Sequence, residues 1–529
     1  MGVKKEPEKY NEANQFVDRH IQEGRGPKVA IYYLDQQITY SEVHEKVNQT
    51  GNALMEMGIG LEDRVMLLLL DCPEFVYSFF GAMKIGAIPV PTNTLLKPED
   101  YEYLLNDSRA KIIVVSEELL DCITAIRNNL LYLRQIIVVG KPVEEFLSFN
   151  SLLKDKSIEL ETANTTADDA AFWLYSSGTT GFPKGVVHLH HDMTFAAEHY
   201  AKGVLQITEN DITFSVAKLF FAYGLGNGLY FPFYVGASTV LSPKRPLPEH
   251  VYSMIERYKP TLFFGVPSSY AAMVQLERAK ENYDLSSIRY CASAGEPLPK
   301  VIFERWFEKW NLEILDGIGS TEILHIFISN MPGEVKPGST GKIVPGYKAK
   351  IIDQDGNIVP AGNVGTLMIK GHSNAAYYWN KHEKTMDTFI GKWTNTGDQY
   401  YQDNEGFFWY VGRGDDMIKA GGIWVSPVEV EYCLMEHPAV FESGVIGRAD
   451  IDGLIKPKAF IVLQEGYEPS GDLVSELSLF VKSKIAPYKF PRWLEFVSDL
   501  PRTATGKIQR FKLRQIDIEI DIASSSEDS

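Results

Sequence analysis

The sequence is poor in cysteine and has no long apolar run. Four cysteines lie among its 529 residues, without any CxxC spacing. This pattern argues against a disulfide framework or a zinc site and fits a reducing compartment. The most apolar stretch, residues 65–70, is far shorter than the ~20 residues that cross a bilayer. The first residues lack the apolar region of a secretory signal peptide, so we expect a cytoplasmic protein with no membrane insertion.

Positive charge is also scarce. The chain has 52 Lys and Arg against 69 Asp and Glu, which gives a formal net charge of −17. This balance would repel the phosphates of a nucleic acid outside any local basic patch, so we expect no nucleic-acid partner. A small anionic substrate would have to be bound by a few placed cations and backbone N–H groups. The chain length predicts two or more domains.

Short apolar runs alternate with amphipathic stretches from residue 28 to residue 300. We predict strands at 29–33, 65–70, 111–115, 135–139, 171–175, 262–266 and 289–292, the last three each followed by a helix. Further helices are predicted at 41–57, with Ser41 as N-cap, at 74–84 and at 117–129. This alternation predicts an α/β fold of mostly parallel sheets covered by helices, which bind ligands at the carboxyl ends of their strands.

The pattern changes near residue 335, where Gly and Pro become dense between short strands, as in a small β-barrel. A charged, glycine-rich break at 412–416 then precedes an α+β pattern. We therefore predict a large N-terminal domain at 1–413, a smaller α+β C-terminal domain at 414–523, and a disordered acidic tail at 524–529.

Residues 175–185 are the segment best suited to bind phosphate. They follow an apolar strand and include three glycines, four Ser or Thr hydroxyls and one lysine. Glycines let backbone N–H groups converge on an anion, hydroxyls add donors, and the lysine adds charge. The segment does not end in the GK[ST] of a Walker A loop. Its composition alone fits a polyphosphate site and an ordinary surface turn equally well.

Six segments, in order along the chain, resemble the signature motifs of the adenylate-forming superfamily, which includes acyl-CoA synthetases, peptide-synthetase adenylation domains and firefly luciferase. They are residues 175–185, 292–298, 316–322, 393–398, 412–422 and 501–507, so the resemblance extends along most of the chain. The resemblance implies an enzyme that uses ATP and Mg²⁺ to adenylate a carboxylic acid and then transfers the acyl group to CoA, with release of AMP and pyrophosphate.

The resemblance also assigns roles to single residues. Lys507 matches a catalytic lysine between the carboxylate and the α-phosphate, where a cation stabilises two approaching anions. Thr321 matches a phosphate contact and Glu322 the metal ligand. Without the resemblance, Lys507 would be interpreted as a surface lysine and Glu322 as a solvated loop residue. Asp398 and Arg413 match the ribose contacts. The nucleotide-binding set implied is Ser176, Ser177, Gly178, Thr179, Thr180, Lys184, Ala294, Gly295, Glu296, Pro297, Asp316, Gly317, Ile318, Gly319, Ser320, Thr321, Asp398 and Arg413.

A hinge is implied by the same resemblance. Asp415 matches the position about which the small domain of the superfamily rotates between the two half-reactions. Rotation brings a loop to the thioester site, and adjacent glycines give the backbone the freedom to turn. The residues of this loop are Lys419, Gly421, Gly422 and Trp424.

Three further segments, residues 218–226, 324–327 and 421–427, resemble the benzoate-CoA ligase subgroup. Carried over by position, the acyl pocket consists of Ala222, Tyr223, Gly319, His325 and Ile326. Small residues leave room for a ring, and aromatic walls bury it; the aromatic residues alone also fit core packing. Little polar chemistry is offered to a para-hydroxyl, which favours an unsubstituted ring. Substituted benzoates and cyclohexane- or cyclohexene-carboxylate stay open, because such differences change affinity by only ~1–3 kcal/mol.

Two alternative functions compete with that of an acyl-CoA ligase. A peptide-synthetase-type protein would load a carrier's phosphopantetheine arm, but such proteins place an aspartate after the aromatic run, where this chain has Ala222 and Tyr223. A luciferase-like oxygenase or a nucleotide sensor is the other class, and a sensor would not need Lys507. The resemblance also permits the reverse reaction and a homodimer, and no residue decides either point.

Overall fold

The computed structural model describes residues 8–176, 182–414, 416–420, 423–450, 454–486, 489–502 and 508–527. Within these ranges no helix combines the length and the apolar character needed to cross a membrane.

Two mostly parallel sheets form the centre of the large domain. Five strands make an all-parallel sheet in the order Ile88–Pro91, Arg64–Leu68, Ile112–Ser116, Gln135–Val139, Leu147–Ser148. Nine strands make the other sheet, in the order Lys342–Ile343, Ile326–Ser329, Ile314–Gly319, Tyr290–Ser293, Leu262–Gly265, Ile212–Ser215, Ser238–Leu241, Val29–Tyr33, Gln36–Thr39. Antiparallel pairing occurs only near the ends of this sheet among the described strands. The predicted parallel α/β architecture is confirmed.

Helices cover both parallel sheets, and their apolar sides are buried against Val- and Ile-rich strands. The helices of nine or more residues are Tyr40–Glu56, Pro73–Lys84, Pro98–Ser108, Pro248–Tyr258, Pro267–Gln275, Lys300–Trp310, Pro427–Met435, Gly471–Lys484 and Arg510–Glu527. The shorter α-helices are Arg19–Gln22, Leu120–Thr124, Phe149–Leu153, Asp192–Ala196, Ala222–Leu225, Phe231–Val235, Ala279–Asn282 and His382–Thr388.

Two local predictions were wrong. The first long helix is capped by Thr39 instead of Ser41, because the Thr39 hydroxyl accepts from the Glu42 N–H while the Glu42 carboxylate accepts from the Thr39 N–H. The predicted helix at 117–129 is broken into one helical turn, Leu120–Thr124, between two 3₁₀ turns.

The strand Ala170–Ser176 also departs from the prediction, because an antiparallel strand, Lys184–Leu189, follows it instead of a helix. The strand Tyr377–Tyr378 extends this pair to three strands. We call Ala170–Ser176 and Lys184–Leu189 the phosphate hairpin. Where the sequence predicts a β-barrel there is an antiparallel sheet of Lys348–Ile352, Gly365–Lys370, Phe389–Ile390, Trp393–Gln402 and Phe408–Arg413.

The C-terminal region has its own sheet and core. Its strands are Val440–Ala449, Ile455–Leu463 and Trp493–Phe496, and a hairpin of Ile418–Ala420 and Ile423–Val425 packs beside them. Its last helix is described to Glu527 and so extends into the predicted tail, since neither Gly nor Pro follows Arg510 to end it. Tyr432 contacts the large domain by donating its hydroxyl to the Pro297 carbonyl at 2.7 Å.

Candidate active site

The phosphate hairpin brings two predicted site residues together. Ser176 and Lys184 are register partners at the open end of the hairpin. The predicted phosphate contacts between them, Ser177, Gly178, Thr179 and Thr180, lie outside the described residues. The Lys184 ammonium lies 4.4 Å from the ring centroid of Tyr378. Burial lowers the pKa of Lys184, and the opposing negative charge of Glu322 partly offsets this. The lysine is therefore a cation placed beside the predicted metal ligand.

Glu322 lies in a 3₁₀ turn, Thr321–Ile323, which we call the glutamate turn. One oxygen of its carboxylate, Oε1, accepts a hydrogen bond from the Tyr378 hydroxyl at 2.8 Å and another from the Ser176 hydroxyl at 3.2 Å. Two donors on the same oxygen fix the orientation of the carboxylate. The structure thus connects the first motif of the sequence with the third.

All three backbone carbonyls of the glutamate turn are also bonded. The Thr321 carbonyl accepts from Nε2 of His188 at 2.8 Å, the Glu322 carbonyl from the Ala375 N–H at 2.8 Å, and the Ile323 carbonyl from the Ser373 hydroxyl at 2.9 Å. His188 is itself oriented by Asp192, whose Oδ2 lies 2.7 Å from Nδ1 of the ring. The turn is therefore held rigidly before any ligand binds, as a preorganised site requires.

The residues predicted to contact adenine lie at the carboxyl ends of two parallel strands. Asp316 on one strand is the register partner of Ser293 on the next, and Ala294, Gly295, Glu296 and Pro297 follow directly. Gly295 has φ +93° with open space around it, so the backbone conformation explains this glycine. Asp316 is buried, and burial raises its pKa to about 8. It therefore lies where parallel sheets bind ligands, and its nucleotide contact stays a prediction.

The predicted ribose pair lies on two neighbouring antiparallel strands. Asp398 and Arg413 are register partners, and Nη1 of Arg413 donates to Oδ1 of Asp398 at 3.1 Å and to the Thr396 carbonyl at 2.9 Å. Gly397 has φ +73°, and a Cβ there would lie 3.0 Å from the Arg413 guanidinium. The two predicted residues are together in the structure.

The residues predicted to line the acyl pocket lie next to the glutamate turn. Gly319 pairs with Ile326 across two strands, and a Cβ at Gly319 would lie 2.7 Å from backbone atoms of His325. The Nε2 of His325 donates to the Tyr223 carbonyl at 3.2 Å, and the two rings lie 5.5 Å apart. Ala222 and Tyr223 are half-buried. Gly317, Ile318 and Ser320 complete the backbone between the adenine side and this pocket.

His325 stands within a cluster of aromatic rings. The rings of Tyr200 and Phe231 lie 5.5 Å and 4.4 Å from it. Burial lowers the pKa of His325 to about 3, so the imidazole is neutral at physiological pH. Gly226 permits this packing, since a Cβ there would lie 2.4 Å from Cδ2 of His325. The surroundings of His325, at the predicted acyl pocket, are therefore aromatic and uncharged.

Several predicted hinge and catalytic residues, namely Asp415, Gly421, Gly422 and Lys507, lie outside the described residues. Lys419 and Trp424 are register partners in the small hairpin after the hinge position. Beside that position, Asp416 is bound by Arg510 and Arg514, and Arg510 also binds Glu431. These ion pairs join the hinge region to the last helix.

Sequence reasoning did not identify Tyr378, His188, Ser373 or Gly226. His188 and Asp192 are spaced by four residues just after the glycine-rich segment, which is a weak signal for a bonded pair. His188 and Tyr378 both bond to the glutamate turn, from which they are separated by 133 and 56 residues of sequence. Such long-range partners have no periodic signal in one sequence.

The residues fit a magnesium ion shared with phosphates. No cluster of three or more His, Cys, Asp or Glu that could hold a metal occurs in the described part of the chain. Mg²⁺ typically takes one or two protein carboxylates together with substrate phosphates and water. The oriented Glu322 carboxylate beside the phosphate hairpin supplies such a ligand.

Comparisons with known proteins agree with this geometry. A family model described as AMP-binding enzyme matches residues 18–379, and one described as AMP-binding enzyme C-terminal domain matches residues 429–507. The benzoate–CoA ligase of Thauera aromatica is 49% identical over 512 residues, 96% of each chain. The 4-hydroxybenzoate–CoA/benzoate–CoA ligase of Rhodopseudomonas palustris is 43% identical over 508 residues, 96% of this chain and 94% of that protein. The crystal structure of the anthranilate CoA ligase AuaEII in complex with anthranoyl-AMP is 46% identical, with a TM-score of 0.94 over 99% of this chain and 100% of that one.

Proposed function

We propose that this chain, which belongs to the AMP-binding enzyme family, is an AMP-forming ligase that joins a ring carboxylic acid of the benzoate type to CoA through an acyl-adenylate. It uses ATP, Mg²⁺ and CoA. The observation that carries the substrate proposal is that the proposed metal site and the proposed acyl pocket are adjacent. Glu322, the proposed metal ligand, lies in the glutamate turn, and His325, at the centre of the aromatic cluster, follows it by three residues, directly before the strand Ile326–Ser329.

The pocket supports a flat, neutral ring. Its proposed walls are Ala222, Tyr223, Gly319 and a neutral His325, so a bound ring would be surrounded by small and aromatic groups. These walls offer no partner for a charge on the ring, which favours an acid whose only charge is its carboxylate. We propose benzoate as the preferred acid. Cyclohexane- and cyclohexene-carboxylate fit the same walls less tightly, because their puckered rings stack less well on aromatic side chains.

Adenylation requires an anion to attack an anion. A carboxylate oxygen attacks the α-phosphorus of ATP, and pyrophosphate leaves. Lys507 would place a cation between the two, and Thr321 and Lys184 would bind phosphate oxygens. Glu322 would hold Mg²⁺, which neutralises phosphate charge when bound. Asp398 and Arg413 would fix the ribose, and Asp316 the adenine.

Thioester formation follows in the proposed second step. The CoA sulfur attacks the acyl carbon, and AMP leaves with the electrons of the acyl–oxygen bond. For this step we propose that the C-terminal domain, from residue 414, rotates at Asp415, so that Lys507 withdraws and Lys419, Gly421, Gly422 and Trp424 approach the CoA site. The reaction is reversible in this scheme because every step exchanges one activated bond for another.

The cellular setting follows from the thiols. Cys72, Cys122, Cys291 and Cys433 are all free, and Cys291 is buried in a strand with a pKa raised to about 12 by burial. We propose a cytoplasmic enzyme whose cysteines take no part in catalysis.

We also propose that the enzyme assembles as a homodimer.

The test is pyrophosphate release from ATP and Mg²⁺ with benzoate, cyclohexanecarboxylate or a straight-chain acid, each with and without CoA. We expect CoA to stimulate release with ring acids, benzoate first, and to yield AMP and acyl-CoA. Turnover that ignores CoA would contradict the ligase, and turnover only with straight-chain or amino acids would contradict the ring pocket.

A further inference from the structure

Residues 216–221, which we call the pocket connection, lead directly into the helix Ala222–Leu225, whose first two residues are proposed to line the acyl pocket. The connection folds back on its own backbone. The Lys218 carbonyl accepts from the Phe221 N–H at 3.0 Å, and a Cβ at Gly224 would lie 2.0 Å from the same carbonyl. A displacement of Lys218 would therefore displace the helix that carries the proposed pocket wall.

A buried carboxylate from the five-stranded sheet holds this connection. Asp71 follows the strand Arg64–Leu68 at its carboxyl end and is only 5% exposed. Its Oδ1 accepts from the Leu219 N–H at 3.0 Å, and its Oδ2 lies 3.6 Å from the Lys218 ammonium. The two oxygens thus contact two successive residues of the connection, which belongs to the nine-stranded sheet. One side chain of the first sheet therefore fixes a segment of the second.

The Lys218 ammonium adds a further support. It donates to the carbonyls of Ser242 and Lys244 at 2.7 Å and 2.9 Å, just after the strand Ser238–Leu241. Burying a charge costs free energy unless the charge is paired and hydrogen-bonded. The ammonium and the Asp71 carboxylate supply each other with that partner, so each depends on the other to keep the connection in place.

We propose that Asp71 and Lys218 are positioning residues that fix the pocket connection and so determine the affinity for the carboxylic acid. This inference rests on the proposed function, because it takes Ala222 and Tyr223 to line the acyl pocket. A wall that is held before binding has fewer conformations to lose when the ring enters. The residues proposed to bind ATP lie on other segments, so ATP binding is affected far less.

Asp71→Ala removes both contacts with the connection, and Lys218→Met removes the cation but keeps an aliphatic stem. We expect each variant to raise the KM for benzoate about tenfold, as the loss of a hydrogen bond or ion pair to a buried charge implies. The KM for ATP should stay within about twofold of wild type. In the double variant the KM for benzoate should rise no further than in the stronger single variant, because the two side chains act as one unit.

Asp211→Ala is the matched control. Asp211 is also buried, accepts from the Thr208 N–H at 2.8 Å and pairs with Arg289, but it lies at the opposite end of the strand Ile212–Ser215 from the connection. The control should leave the KM for benzoate unchanged. If Asp71 served only the stability of the fold, Asp71→Ala would lower kcat with both KM values unchanged, since only the folded fraction turns over. That result would overturn the inference.

Hydrogen exchange in the ligand-free protein tests the positioning without turnover. We expect faster exchange at the amides of residues 218–225 in Asp71→Ala and Lys218→Met, and not in Asp211→Ala. Unchanged exchange at these amides, or equal increases in the KM for benzoate and for ATP, would overturn the inference. If exchange rises while the wild-type protein turns over no ring acid, the proposed function fails and the role of Asp71 and Lys218 in fixing the connection stands.

Discussion

Orientation of one carboxylate depends on a tyrosine far away in the sequence. The Tyr378 hydroxyl bonds to Oε1 of Glu322, and its ring faces the Lys184 ammonium. The pKa of Tyr378 is raised above its ordinary range by burial first and by the charge of Glu322 second, so the hydroxyl keeps its proton. Tyr378 therefore links the cation, the carboxylate and the strand Tyr377–Tyr378.

Loss of that hydroxyl is expected to weaken metal binding. Tyr378→Phe should raise the Mg²⁺ concentration for half-maximal pyrophosphate release about tenfold, the usual effect of removing a partner that orients a metal ligand. The control is Tyr377→Phe, which alters the exposed neighbour (40% exposed). An unchanged Mg²⁺ requirement in Tyr378→Phe would show that Glu322 needs no such support.

Asp316 should make stability depend on pH. Its folded-state pKa of about 8 is above the ordinary value of 3.8, so between these pH values the folded protein binds more protons than the unfolded chain. Stability therefore falls as pH rises through this window. Asp316→Asn removes the effect, and its melting temperature relative to wild type should increase from pH 5 to pH 8 in ligand-free protein. A pH-independent difference would contradict the raised pKa.

Among the secondary-structure elements, parallel strands were the easiest to predict. Val29–Tyr33 and Gln135–Val139 match the predicted bounds, because buried parallel strands are short, β-branched and bounded by turns. The hairpin at Ala170–Ser176 was missed, since an apolar run does not reveal which element follows it. The sequence does not decide between Thr39 and Ser41 as the helix cap, because both are good caps and only the bond between Thr39 and Glu42 distinguishes them.

Candidate site residues within contiguous motifs could be assigned from the sequence, and the residues that hold them in place could not. Thr321 and Glu322 belong to one motif, and Asp398 and Arg413 to two motifs on paired strands. Tyr378 and His188 act through contacts that form only when distant segments meet. Without the fold, a buried His or Tyr is indistinguishable from ordinary core packing.

The helical segment Ala222–Tyr230 passes close to the His325 ring, and this close approach can be tested. Gly226→Ala would place a methyl group 2.4 Å from the His325 ring, so the ring must shift within the proposed acyl pocket. We expect kcat/KM for benzoate to fall by up to about 100-fold, with the KM for ATP nearly unchanged. In the control, Gly228→Ala, the nearest neighbour is the flexible end of Leu219 at 3.0 Å. Equal effects of both variants would contradict the assigned pocket wall.

At the scale of the whole molecule, ion pairs join the segment beside the proposed hinge to the last helix of the chain. Arg510 joins Asp416, beside the proposed hinge, to Glu431, and it lies three residues after Lys507. Turning at the hinge would therefore move the helix Arg510–Glu527 and the lysine together. Tyr432 also donates its hydroxyl to the carbonyl of Pro297, which belongs to the predicted adenine-side loop.

Domain rotation predicts unequal effects on the two half-reactions. Lys507→Ala should reduce adenylation about 100-fold or more, the usual result of losing an electrostatic stabiliser. Thioester formation from supplied acyl-adenylate and CoA should change far less, because the lysine has then withdrawn. Each half-reaction is measured separately, by pyrophosphate exchange and by CoA ester formation. Equal losses in both would count against rotation in this chain.

The most direct measurement follows the oxygen atoms of the acid. In the proposed reaction a benzoate oxygen attacks the α-phosphorus of ATP and stays on AMP when CoA takes the acyl group. Benzoate labelled with oxygen-18 in both carboxylate positions is therefore incubated with ATP, Mg²⁺ and CoA, and the masses of the products are measured by mass spectrometry. The account predicts one labelled oxygen in AMP and one in benzoyl-CoA. Label in phosphate or pyrophosphate, or unlabelled AMP beside benzoyl-CoA, would contradict an acyl-adenylate.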